Sequence, residues 1–261
     1  MKSVFVGLLL VFISLTITFC KEASSFSGEN RAEPEVEDSL GIVYPKLSYS
    51  WMTGKTFDTT NNLYARMESP NGFHRIKTES GSFGEWLRFL PLHAAGKNVL
   101  LHNGEKKSRQ DVHAAVVNID PGKADLQQCA DAVMRLRAEY LFSIEQYDKI
   151  HFNYTSGDKC DYREWSEGKR LVVSGNSVKK ASGENRTALE DHSSFRSYLN
   201  NVFMFAGTLS LNREMKSISV DSMQIGDVFI YGGSPGHAVI VVDMCVNEAG
   251  DKMFMIAQSY M

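Results

Sequence analysis

The sequence is poor in the residues that staple, break or charge a chain. Among 261 residues there are only 6 prolines and 4 cysteines, and the 20 glycines follow no Gly-X-Y period. No internal repeat or low-complexity array runs through the chain, which excludes collagen-like, solenoid and Pro/Gly-rich disordered architectures. Positive charge is not in excess: 28 Lys+Arg against 31 Asp+Glu leave a net charge of −3, so no basic surface for nucleic acid is expected. Metal-binding spacings are missing as well. No pair of cysteines shows Cys-x-x-Cys spacing and the 7 histidines are scattered without His-Glu-x-x-His, so neither a metal nor a cofactor is expected. What is present, 43% hydrophobic and 23% charged residues, is the composition of an ordinary folded protein and not of a disordered chain or coiled coil. The length suits one domain, or at most two small ones, with a core that needs no disulfides.

The one long uncharged run lies at the N-terminus. Met1-Lys2 precedes Ser3 to Phe19, which includes Gly7-Leu8-Leu9-Leu10-Val11-Phe12-Ile13. This has the form of a signal peptide, residues 1–19, and is slightly shorter than the roughly 20 apolar residues of a membrane helix. Export to the bacterial cell envelope or beyond is the expectation. Cys20 ends the run where a lipoprotein carries the thiol that becomes acylated, and Thr16 to Cys20 resembles a lipobox with Phe19 in place of the small residue. A plain secretory signal with an incidental cysteine is the alternative. Between residues 21 and 40 stand one aromatic residue and six acids, too little apolar surface to offset ordering entropy, so 20–40 reads as a flexible acidic tether. A lipid at Cys20 is the only membrane attachment expected.

From residue 41 to 261 the pattern is that of a single α+β domain. Ser82 and Glu85 have capping-box spacing ahead of Trp86, Leu87 and Leu90, and Pro91 stops the helix they begin. Val99 to His102, a turn at Asn103-Gly104, and Ala114 to Ile119 predict a hairpin. The strongest helical period runs through Leu126, Cys129, Ala130, Val133, Leu136, Tyr140 and Leu141, with Asp125 as its expected N-cap. Ile150 to Tyr154 reads as a strand, and the polar stretch 155–194 as an insertion or a flexible hairpin. Phe195 to Ala206 predicts another helix with Gly207 as its C-cap. Arg88, Arg135 and Arg137 read as surface or ion-paired side chains.

The most specific pattern is in the last forty residues. Ile225 to Tyr231, Gly236 to Asp243 and Phe254 to Gln258 predict three consecutive antiparallel strands. In the middle strand the period of two puts His237, Val239, Val241, Asp243 and Cys245 on one face, with Ala238, Ile240, Val242 and Met244 on the other.

Gly226-Asp227-Val228 followed by Gly236-His237-Ala238-Val239-Ile240-Val241 resembles the histidine strand of papain-like cysteine amidases of the NlpC and CHAP type. The resemblance implies a papain-like fold, an antiparallel sheet packed against a cysteine-bearing helix. It further implies Cys129 as nucleophile, His237 as base, Gln258 as the group orienting the imidazole, and a peptide or peptidoglycan-like substrate. Trp86-Leu87-Arg88, Gln127-Gln128-Cys129-Ala130-Asp131-Ala132 and Gly236-His237-Ala238-Val239 also resemble a secreted bacterial family known only as a domain of unknown function.

The chemistry stands apart from the resemblance. A cysteine at a helix N-terminus meets the positive end of the helix dipole, and a neighbouring imidazole can take its proton and return it to a leaving amine. Equally, Cys129 shares the apolar face of Val133, Leu136 and Tyr140 and reads as a small core residue, and His237 as a structural histidine at a strand start. Those readings carry two expected functions, an exported cysteine amidohydrolase or peptidase and a non-catalytic envelope lipoprotein that binds or interacts. With a turn at Ala249-Gly250 and Glu248 paired with Asp251, Val241 faces Gln258, which then lies four residues from His237, about 13 Å along the strand unless a bulge intervenes. The chain stops at Met261 inside an apparent strand, so the domain reads as truncated there. Counting alone pairs Cys160 with Cys245 and leaves Cys129 as the odd free thiol.

Overall fold

A computed structural model describes residues 48–259 except 53 and 56, together with the backbone of three short strands nearer the N-terminus. In chain order these are β1 (Ser14–Thr16), β2 (Val36–Glu37) and β3 (Val43–Tyr44). Then come α1 (Leu63–Arg66), β4 (Phe73–Arg75), α2 (Phe83–Arg88), α3 (Cys129–Ser143), β5 (His151–Asn153), β6 (Lys159–Asp161) and α4 (Tyr162–Ser166). The remainder is β7 (Lys169–Ser174), β8 (Ser177–Ser182), α5 (His192–Phe205), α6 (Thr208–Glu214), β9 (Lys216–Ile218), β10 (Val228–Tyr231), β11 (His237–Asn247) and β12 (Lys252–Ala257). Cys20, the tether and the expected signal peptide otherwise lie outside the described residues.

The fold is α+β, with antiparallel sheets. The largest runs β12-β11-β10-β1-β9, and β4 pairs with the far end of β11. The three C-terminal strands are consecutive and antiparallel, as expected. Helices α2 and α3 pack against β11. Between them they bury Trp86, Leu87, Ala130, Val133 and Met134 with Ala238, Ile240 and Val242 of the strand, and α5 adds Phe195, Tyr198, Leu199 and Val202 to the same core. Burial of this apolar surface is the main term holding helix to sheet, at about 25 cal/mol per Å².

Local signals explain most element ends. The Ser82 hydroxyl accepts from the Glu85 N–H at 3.2 Å, and the Glu85 carboxylate reaches back one residue further than expected, to the Gly81 N–H at 2.7 Å. Helix α3, in contrast, begins at Cys129 and not beside Asp125. Gln127 has φ 65°, a left-handed conformation through which a right-handed helix cannot run. Gln128 is the N-cap, its N–H donating to the Asp131 carboxylate at 3.0 Å, while Asp125 takes the Gln128 side-chain amide at 3.2 Å.

Two further expectations are corrected. Leu100 bridges to Lys106 across the Asn103-Gly104 turn, but Val117 pairs with Leu92, so 99–102 and 114–119 form no hairpin together. The polar groups of the second segment are met instead by Pro91 and His93, through Asn118 N–H to Pro91 O and His93 N–H to Val116 O, both 2.8 Å. Helix α5 ends at Ala206, and Gly207 opens α6 as its N-cap. Within 155–194, β7 and β8 make a regular hairpin, Arg170 lies 3.7 Å over the Trp165 ring, and buried Tyr162 donates to Leu189 O at 2.7 Å.

Candidate functional site

Cys129 is the first residue of a 15-residue helix and is half-buried. The chain just before it is anchored from below. Gln127 Oε1 accepts from Arg135 at 2.8 Å and from Arg196 at 3.0 Å. Arg135 also donates to Glu139 at 2.6 Å, and His192 Nε2 lies 3.1 Å from both Glu139 oxygens. Arg135 and Glu139 are both fully buried. A left-handed non-glycine residue costs about 1–2 kcal/mol, and two charge-assisted hydrogen bonds to its side chain offset that cost. Sequence reasoning missed this anchor because Gln127 carries no local sign of its conformation.

The start of α3 opens into a cleft of about 330 Å3. Its walls are Cys129 and Asp131 of α3, Phe203 near the end of α5, Thr208 at the start of α6, and the loop that includes Gly233 and Gly236. The loop and α6 touch closely enough that a Cβ on Gly236 would stand 2.1 Å from Thr208 Oγ1 and 2.5 Å from Gly233 O. The Thr208 hydroxyl donates to Gly233 O at 3.1 Å. Burial in this wall pushes the Asp131 carboxyl up to about 7, against the opposing effect of the Gln128 and Gln127 backbone N–H groups.

His237 follows Gly236 directly and begins β11 with its ring exposed. The ring Nε2 lies 2.7 Å from Gln258 Oε1. The register expected from sequence is therefore corrected. Asn247, and not Glu248, closes the hairpin, accepting and donating with Asp251, and a bulge between Val241 and Asp243 shifts the pairing by one more residue. Val241 faces Ile256, so the same count puts Gln258 opposite Val239, two residues from His237. The bulge also ends the simple alternation: Val241 and Met244 share a second apolar cluster, while Val242 stays in the main core.

Of the three residues singled out, His237 and Gln258 are in contact. Cys129 shares its cleft with Gly236, the neighbour of His237, but among the described residues no hydrogen bond joins the thiol to the imidazole. Cys160 and Cys245 do not pair. Both are buried free thiols, the first in a two-stranded sheet with β5 and the second in the main sheet. Among the described residues no group of three or more His, Cys, Asp or Glu side chains is arranged to hold a metal. Arg88 is buried and ion-paired with Asp243, and Arg137 lies over the Phe83 and Tyr140 rings.

A family described as a domain of unknown function (4846) matches residues 63–261. The chain belongs to that family. The DUF4846 span runs from α1 to the last residue and takes in Cys129, His237, Gln258 and every wall of the cleft. Comparison with curated proteins and with solved structures returns no match.

Proposed function

We propose that the protein is an exported cysteine amidohydrolase or peptidase of papain-like type, acting on peptide or cell-wall amide bonds. The observation that carries this reading is the hydrogen bond between His237 and Gln258 at 2.7 Å, beside a cleft into which the Cys129 end of α3 opens. An amide oxygen only accepts, so the tautomer that pairs with Gln258 Oε1 is the one with its proton on Nε2 and a lone pair on Nδ1. In the mechanism, Nδ1 takes the Cys129 proton and the thiolate attacks the amide carbonyl, forming a C–S bond. The C–N bond then breaks as the imidazolium gives its proton to the leaving amine. Water, deprotonated by the same nitrogen, cleaves the thioester, releasing a carboxylic acid and restoring the thiol. A cleft of about 330 Å3 is of the size that holds a small ligand or a short peptide segment. No cofactor enters this scheme.

In this reading the signal peptide delivers the domain to the cell envelope. A lipid on Cys20 would hold it there by the acidic tether, and acyl labelling of the full-length and Cys20→Ala proteins tests that attachment. The alternative is a binding module on the same fold. It draws support from the packing of Cys129 against the apolar core, as a small structural residue would pack.

Iodoacetamide labelling of the full chain tests the proposal. Cys129 should react faster than a cysteine in a free peptide, and a screen of peptide and peptidoglycan amides with Cys129→Ser as control should then reveal turnover. A Cys129 no more reactive than the free peptide would overturn the enzyme reading in favour of the binding module.

A further inference from the structure

Gln258 shares a face with His237 only because β11 carries one extra residue. Near the turn, Asp243 pairs with Met255 and Cys245 with Met253; beyond the irregularity, Val241 pairs with Ile256 and Ile240 with Ala257. Val242 is the residue left over. Had the first register continued, Gln258 would stand opposite Ile240, whose side chain is in the core at 2% exposure. Because side chains alternate with a period of two, that slip of one residue would turn Gln258 away from His237. With the bulge, Gln258 falls diagonally across from His237, about 7 Å along the strand, within reach of two long side chains.

The residue after the bulge is Asp243, 5% exposed. Its Oδ2 accepts from Arg75 Nε of β4 at 2.6 Å, and its Oδ1 accepts from Arg88 Nε of α2 at 2.8 Å and from the Met244 N–H at 2.8 Å. Arg75 also donates to Tyr64 O and Met67 O, which ties it to α1 and its C-cap. Arg88 is 5% exposed and one of its terminal nitrogens is buried without a partner. One buried and one half-buried guanidinium on a buried carboxylate are a poor way to gain stability, since apolar packing of the same volume is often as good or better. Such a cluster does fix direction. Sliding β11 by one residue would turn Asp243 out of the cluster and leave the buried Arg88 without its anion, a penalty that a slip in an apolar patch does not incur.

We propose that Arg75, Asp243 and Arg88 form a register lock that positions Gln258 on His237 from about 20 Å along the strand. These are positioning residues, and the proposal rests on the reading of Gln258 as the group that orients the imidazole. The test uses the full chain and the triple variant Arg75→Met, Asp243→Leu, Arg88→Met, which removes all three charges together. NMR should show cross-peaks between the His237 ring and the Gln258 side chain in the wild type. In a folded triple variant these should be lost, with the cross-strand contact of Gln258 moving from Val239 to Ile240. Alkylation of Cys129 should slow about as much in the triple variant as in Gln258→Ala, with no further loss when the two are combined. A folded triple variant that keeps the wild-type cross-peaks overturns the lock. If the contact moves as expected while Gln258→Ala leaves alkylation unchanged, the lock stands and the orienting role of Gln258 falls. Should the triple variant fail to fold, Arg75→Met alone serves: a second, shifted set of Gln258 cross-peaks supports the lock, and a single wild-type set overturns it.

Discussion

The His237 ring and the Gln258 amide meet at 2.7 Å although they stand 21 residues apart, one at the start of β11 and the other just past the end of β12. Because the contact lies on an exposed face, its loss should change reactivity more than stability. Gln258→Ala is expected to slow alkylation of Cys129 about tenfold, equivalent to ~1.4 kcal/mol, while shifting the urea midpoint little. Rates followed by mass spectrometry, with the unfolding curve of the same sample, check both halves. Equal alkylation rates would remove Gln258 from the site.

Asp131 gives a pH dependence of definite sign. Its folded value, about 7 against an ordinary 3.8, is raised by burial, so the folded chain holds a proton that the unfolded chain releases. The associated stability is full below the unfolded value and is lost as pH rises through about 7. Asp131→Asn keeps an oxygen for the Gln128 N–H and does not ionise. It should exceed the wild type at pH 8 by on the order of 1–2 kcal/mol, with the difference shrinking towards pH 4. Urea titrations at several pH values would show this, and a constant difference across them would refute it.

The buried pair beneath the nucleophile candidate makes a prediction about stability. Arg135→Met leaves Glu139, 0% exposed, with His192 as its remaining side-chain partner, and should cost about 3–5 kcal/mol in urea unfolding. Adding Glu139→Gln removes the orphaned charge and should recover part of that loss. A single variant within about 0.5 kcal/mol of the wild type would mean that water reaches the carboxylate.

Gly236 is a close-approach glycine. In Gly236→Ala the new methyl meets both Thr208 Oγ1 and Gly233 O, so the loop must leave the cleft wall. A loss of about 2 kcal/mol is expected. Thr208→Ala should not rescue it, because the carbonyl oxygen at 2.5 Å remains. Full rescue would show that the loop adapts.

The cysteines should separate kinetically. In the Cys20→Ala protein, Ellman's reagent should modify Cys129 first. Cys160, buried with its thiol pushed up to about 11, and Cys245, also raised by burial, should react only as the chain opens. Three thiols titrating at one rate would contradict this order.

The sequence was readable where the deciding physics acts within a few residues. Ser82 caps α2, the alternation from Val228 to Ala257 sets three antiparallel strands, and the period from Ala130 to Leu141 sets the buried face of α3. The same local signals erred by a few residues at boundaries. Asp125 has the chemistry of an N-cap, yet Gln127 turns left-handed under the pull of Arg135 and Arg196. Gly207 has the chemistry of a C-cap, yet it begins α6.

By itself, then, the sequence determined an α+β chain with a cysteine at the start of a helix and a histidine at the start of a strand. Only the tertiary structure decided which polar groups meet. The bulge that brings Gln258 to His237 lies beside Asp243, whose partners Arg88 and Arg75 are 155 and 168 residues away in sequence. No local pattern encodes such an arrangement, because a buried carboxylate selects its register by the long-range need to keep each buried charge paired.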